Sequence, residues 1–157
     1  MITKENTLAL PIKQKFFNEI FEGTKTKEYR EIKDTTFKKY LETETVNGET
    51  RIVYFEELIS DEEFDKYPND PIIYNGGVYP YAPREYKFLR LFAGYRKDRD
   101  TLVVEVKDIT FEVMKTTEGK IVRFDIDAVE REDGDFTFWQ VVYHLGKVVE
   151  SDIKKNR

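Results

Sequence analysis

Apolar residues along this chain recur in two rhythms, a two-residue one that marks strands and a three-to-four-residue one that marks helices, with Gly and Pro between them. Residues 6–12 are apolar, and Pro11 steers its preceding neighbour away from helical geometry, so a first strand is expected there. From residue 13 to 22 the rhythm changes. Phe16, Phe17, Ile20 and Phe21 fall at helical spacing, and Gly23 stands where a helix C-terminus takes a left-handed residue. Residues 26–32 alternate and include Thr26 and Tyr29, which predicts a strand, and Asp34 is placed to cap a short helix carrying Phe37, Tyr40 and Leu41.

Turn chemistry divides the rest. Asn47-Gly48 accepts positive φ at both positions and predicts a hairpin joining residues 42–46 to 49–56. Ser60 with Glu63 forms a capping box for a short helix through Phe64 and Tyr67. Residues 67–84, with Pro68, Pro71, Gly76, Gly77, Pro80 and Pro83, read as an exposed loop. The apolar run 86–95 adds a strand, and Glu118-Gly119 and Asp133-Gly134 cut the C-terminal third of the chain into 101–115, 120–131 and 135–145, a three-stranded meander. About six strands against two or three short helices, without βαβ alternation, predict an α+β fold: a small antiparallel or mixed barrel with the helices at its ends.

Composition narrows the class. A chain of 157 residues fits one compact domain, here spanning 1–157. With 36% charged residues, Lys4 and Glu5 near the start, and no apolar run near the ~18 residues of a membrane span, a soluble, unexported, cytoplasmic protein without a membrane partner is expected. The absence of Cys and the single His exclude disulfide frameworks, thiolate nucleophiles and Cys-ligated zinc, and neither a metal nor a cofactor is expected.

The net charge of −5 argues against bulk nucleic-acid binding, but it conceals a segregation. Residues 1–40 sum to +3, 41–83 to −8, 84–107 to +3 and 108–157 to −3. If the two basic segments meet in the fold, they can line one positive cleft suited to a small anion or a single strand.

The densest chemistry lies in Gly23-Thr24-Lys25-Thr26-Lys27-Glu28-Tyr29-Arg30, between the first helix and the strand after it. It fits G-x-K-x-x-E-x-R and resembles the signature of the ASCH domain, a member of the PUA-like superfamily. The strand Leu8-Ala9-Leu10-Pro11-Ile12-Lys13 and a Phe-containing helix precede it as in that family. Phe92-Ala93-Gly94-Tyr95, Leu102-Val103-Val104-Glu105-Val106 and Val141-Val142-Tyr143-His144-Leu145-Gly146 look like the remaining strands. The resemblance covers roughly residues 6–40 and 86–147, and the acidic segment 42–83 looks like an insertion.

This resemblance implies a single PUA-like β-barrel with a cleft between barrel and helices that binds RNA or a nucleotide-like ligand. One branch of the family hydrolyses the acyl amide of N4-acetylcytidine using the motif lysine and a threonine at the position of Glu28, and another has been assigned ribonuclease activity. Here the lysine is present as Lys25, the threonine is replaced by Glu28, and Thr24 and Thr26 flank the lysine. The binding role therefore leads. A small hydrolase acting on a modified nucleoside or single-stranded RNA, with Lys25 and Glu28 as its catalytic pair, is the alternative.

The residue types suit that ligand. In a regular strand Glu28 and Arg30 share a face, and Lys25 comes from the turn. Glu28 can accept hydrogen bonds from the exocyclic amine of a base, and Arg30 can bind phosphate with its planar fork. A neutral lysine acts as a general base, whereas an ammonium is an anion-binding charge. The plain alternative makes Glu28 and Arg30 a structural ion pair, with Lys25 in solvent. Lys13, at the start of the first helix where cations are disfavoured, would be relieved by a ligand anion or simply solvated. Tyr95, beside Gly94, is the expected cleft aromatic, while Phe88, Phe92, Trp139 and the other strand aromatics are expected in the core. Lys13, Lys25, Glu28, Arg30 and Tyr95 are thus the expected ligand-binding set. A third reading makes the acidic segment 41–83 a surface for a basic protein partner.

Overall fold

The computed structural model describes residues 1–33, 35–53, 82–94, 97–125, 127, 129–134 and 138–154. These form an α+β structure in the order β1 (Thr7–Ile12), α1 (Gln14–Glu22), β2 (Lys27–Glu31), α2 (Phe37–Tyr40), β3 (Thr43–Val46), β4 (Glu49–Ile52), β5 (Phe88–Ala93), β6 (Thr101–Val113) and β7 (Trp139–Asp152). Five strands hydrogen-bond in the order β1-β5-β6-β7-β2, and β3 pairs with β4 alone. The expected barrel is not formed by this hydrogen bonding: among the described residues the sheet is open, with β1 and β2 as its edges. Both edges carry features that discourage further pairing. Pro11 lacks an N–H in β1, and β2 is almost entirely charged.

The chain divides into two compact units, the first comprising Met1–Glu28, Glu85–Ile109 and Tyr143–Arg157. Its base is the parallel pair β1 and β5, in which Leu8, Leu10 and Ile12 stand opposite Leu89, Leu91 and Ala93. All six are buried, because every second residue of each strand points to the same face. Burying each large side chain contributes roughly 1.5–3 kcal/mol, so this double row is a main source of cohesion. β5 pairs antiparallel with β6, which adds Leu102 and Val104 to the core. α1 packs on β5 through a narrower stripe than the sequence predicts. Phe17 and Ile20 are buried, whereas Phe16 and Phe21 are exposed.

The second unit comprises Tyr29–Arg84 and Thr110–Val142. Its β3–β4 hairpin turns on Asn47 (φ 50°) and Gly48 (φ 81°), the double positive φ of a type I′ turn. α2 begins at Thr36, whose hydroxyl accepts the Lys33 N–H and donates to the Glu31 carbonyl, both at 3.1 Å. The expected cap, Asp34, lies outside the described residues, as does the expected helix from Ser60 to Tyr67. The chain leaves the hairpin at Val53 and is back beside it at Ala82, whose N–H donates to the Val53 carbonyl at 2.9 Å. Arg84 completes this junction by donating from its backbone N–H to the Tyr40 carbonyl and from Nε to the Leu41 carbonyl.

The expected meander is only partly present. β6 and β7 are long strands and sheet neighbours, but the described residues of 120–131 do not form a strand between them. A turn ending at Gly119 (φ 86°) allows one isolated bridge, Lys115 with Ile121, and a second joins Phe124 to Glu130. The interruption comes from Asp125. Its Oδ1 accepts the N–H groups of Asp127 and Val129 at 2.9 and 3.0 Å, and its Oδ2 accepts Arg131 Nε at 2.8 Å, which turns the chain in mid-run. Those bonds hold the carboxyl below the ordinary carboxylate range, the Val129 N–H contributing most and the Arg131 guanidinium next. Gly134 fits this tight path because a Cβ there would strike the Phe124 backbone.

Candidate functional site

The motif opens where α1 ends. Gly23 adopts φ 86°, and its N–H donates to the Ile20 carbonyl, while the N–H groups of Thr24 and Lys25 both donate to the Glu19 carbonyl, at 2.9 and 3.1 Å. The Thr24 hydroxyl adds a third bond to that carbonyl at 3.2 Å. These bonds satisfy the helix's last acceptors and fix the turn, so Lys25 leaves it in a defined direction. Thr26 then joins the sheet, its carbonyl accepting the Leu145 N–H at 2.8 Å.

The turn brings two of the expected residues together. Lys25 Nζ lies 3.6 Å from Glu28 Oε1, and the Glu28 side chain is only 8% exposed. A buried carboxylate is costly unless paired and hydrogen-bonded, so this pair is more constrained than a surface bridge. Lys25 Nζ also lies 5.5 Å from the centre of the Phe16 ring, and Lys15 Nζ lies 5.9 Å from the same centre. Lys25 thus stands between the buried carboxylate of Glu28 and the Phe16 ring, which Lys15 also approaches.

Lys13 occupies the N-cap position of α1, at the opposite end of the helix from Gly23, and is exposed. Nine helical residues span about 13 Å, so Lys13 and Lys25 stand at opposite ends of α1 rather than as a contact pair. No acidic residue stands in the first turn of α1 to offset Lys13. Arg30 is half-buried in β2, in the stretch that belongs to the second unit. Tyr95 lies outside the described residues. Phe88 and Phe92 are half-buried, and Arg99 stacks on Phe92 with its guanidinium carbon 4.2 Å from the ring centre.

The two basic segments do meet, since β1 and β5 are paired. The first unit carries 15 basic and 11 acidic residues, a net charge of +4, and the second carries 11 and 20, a net of −9. The motif pair Lys25 and Glu28 thus belongs to a basic unit of an acidic protein.

Sequence reasoning missed a polar hub that positions α1. Asp100, 6% exposed, accepts Gln14 Nε2 on Oδ2 at 2.9 Å and the Lys154 N–H on Oδ1 at 2.8 Å. It ties the start of α1 and the end of β7 to the head of β6. The partners lie 86 and 54 residues away in sequence, so no local spacing announces them. Phe16, one of the four apolar residues at helical spacing, is exposed rather than part of the buried stripe.

A shallow polar groove of about 450 Å³ in the same unit is lined by Arg90 and residues 101–103 and 150–152. No motif residue borders it, and Glu150 and Asp152 on its wall oppose an anionic ligand. Among the described residues no group of three or more His, Asp or Glu side chains is arranged to hold a metal ion, and no helix is long and apolar enough to cross a membrane. Compared with known proteins, the chain matches no family model, no curated protein and no solved structure.

Proposed function

We propose that the protein is an RNA- or nucleotide-binding module of the ASCH type, with Lys25 and Glu28 at the centre of its ligand site. The observation that carries this reading is the ion pair between Lys25 and the buried Glu28, set by a Gly-capped turn in the basic unit. Lys25 supplies a fixed positive charge for phosphate, and Glu28 supplies acceptor oxygens for base amines. The acidity of the second unit disfavours long duplex and leaves a small or single-stranded ligand. A PUA-like barrel belongs to this reading as a proposal; among the described residues the five-stranded sheet is open. Of the other expected residues, Lys13 lies at the far end of α1, Arg30 belongs to the second unit, and Tyr95 is outside the described residues, so the reading rests on Lys25 and Glu28.

The hydrolase alternative uses the same pair, with a hydroxyl from Thr24 or Thr26, which flank the lysine. Thr24 is engaged with the Glu19 carbonyl, which favours a cap role over chemistry. The deciding experiment incubates the protein with single-stranded RNA and a panel of modified nucleosides, N4-acetylcytidine included, and follows retention and products by mass spectrometry. Intact RNA or nucleotide retained without products is the expected result. Neither retention nor turnover would reject both readings.

A further inference from the structure

We propose that Phe16 is the base-stacking platform of this site and Lys15 its second phosphate-contacting cation, so that the ligand is a nucleotide whose base carries an exocyclic amine. The inference rests on the nucleotide-binding reading above and names the ligand class and two residues that the motif does not contain.

The argument begins with burial. Of the four apolar side chains at helical spacing in α1, Phe17 and Ile20 fill the core, and Phe16 is left 37% exposed. An exposed Phe alone needs no explanation. Phe16, however, has two ammonium groups near its ring, Lys25 Nζ at 5.5 Å and Lys15 Nζ at 5.9 Å from the centre. Both ammonium groups lie over the ring at distances longer than the 4.2 Å of the Arg99–Phe92 stack, and the side chain keeps part of its surface in solvent. The two like charges lie no farther apart than those two distances together allow, and they repel one another. An anion between them relieves that repulsion, and a flat group on the ring gains stacking at the same time.

The remaining recognition element lies on the Lys25 side. Glu28 Oε1 is 3.6 Å from Lys25 Nζ, and an ionised carboxylate accepts several hydrogen bonds and donates none. A base lying on Phe16 with its edge toward Glu28 must therefore present donors there. Cytosine and adenine do so through their exocyclic amines. Uracil turns a carbonyl to the same place and leaves two acceptors facing each other. A phosphate attached to that base is then within reach of Lys15 and Lys25, whose ammonium groups lie 5.9 and 5.5 Å from the ring centre.

Calorimetric titrations with CMP, UMP and inorganic phosphate, on the wild type and on Phe16→Leu, Phe16→Tyr and Lys15→Gln, test this. Wild type is expected to bind CMP roughly tenfold or more tightly than UMP. Phe16→Leu should weaken CMP by about tenfold and leave phosphate unchanged, and Phe16→Tyr should keep CMP affinity. Lys15→Gln should weaken both ligands by an amount that shrinks with added salt. The substituted side chains are exposed, so thermal melts of the variants should match wild type. CMP binding that falls in Lys25→Ala but is indifferent to Phe16→Leu and Lys15→Gln would overturn the platform and leave the nucleotide reading standing. UMP bound as tightly as CMP would overturn the amine requirement. Absence of CMP, AMP and single-stranded RNA binding by wild type would remove the underlying reading and the platform with it.

Discussion

Asp100 shows how a single side chain ties together elements far apart in sequence. Its carboxylate accepts Gln14 at the start of α1 and the Lys154 N–H at the end of the fold. Truncation in Asp100→Ala removes the acceptor of the part-buried Lys154 N–H and one of the two acceptors of Gln14 Nε2, which keeps Asn18 Oδ1, at roughly 1–3 kcal/mol for a group left unsatisfied. Chemical denaturation should report a loss of roughly 1–3 kcal/mol. A change under about 0.5 kcal/mol, the range of ordinary surface substitutions, would mean that water replaces the carboxylate freely. Gly23, Lys25 and Glu28 were legible in the sequence because their roles are local: a helix stop, a turn and the strand after it. Asp100 and Phe16 were not, since burial and long-range hydrogen bonding decide what they do. Helical spacing placed Phe16 on the apolar stripe, but the stripe that β5 covers is only wide enough for Phe17 and Ile20.

At the scale of elements, the strands and helices with clear periodicity appear within a residue or two of the expected bounds. β1, α1, β2, β5 and the Asn47-Gly48 hairpin each rest on signals contained in a short stretch of chain. The middle strand of the meander fails because residues 120–131 alternate like a strand while Asp125 supplies a competing set of local hydrogen bonds. β7 likewise runs past Gly146, which lies close to Glu105 and Lys107 where a side chain would crowd them. The Asp125 turn makes a pH prediction. Its folded carboxyl titrates below its unfolded value, so its stabilisation is present above the unfolded pKa and is lost as pH falls through the folded one. The amide proton shifts of Asp127 and Val129 should therefore titrate together, with a midpoint below the ordinary aspartate value of about 3.9. In Asp125→Asn that joint titration should vanish. A midpoint above the ordinary value would contradict the hydrogen-bonded turn.

At the scale of the whole molecule, charge and topology were legible to different degrees. The segregation into basic and acidic segments was visible in the sequence, but the parallel pairing of β1 with β5 that joins the two basic segments links residues as distant as Thr7 and Phe88 and has no local signature. The acidic segment stands out by composition, and the Val53–Ala82 hydrogen bond brings together the two ends of residues 54–81. Replacing residues 54–81 by a Gly-Gly link should leave the melting temperature of the rest within a few degrees, because the ends already meet and a shorter loop costs less closure entropy. Collapse of the cooperative melt would show that those residues complete the core. The central claim, that Lys25 is a fixed phosphate-binding charge, is tested most directly by titrating a single-stranded RNA oligonucleotide, followed by fluorescence anisotropy, with wild type, Lys25→Arg and Lys25→Ala at low and high salt. The account predicts near-wild-type affinity for Lys25→Arg and a loss of roughly fivefold or more for Lys25→Ala at low salt, shrinking as salt rises. Equal affinity of Lys25→Ala and wild type at low salt would contradict it.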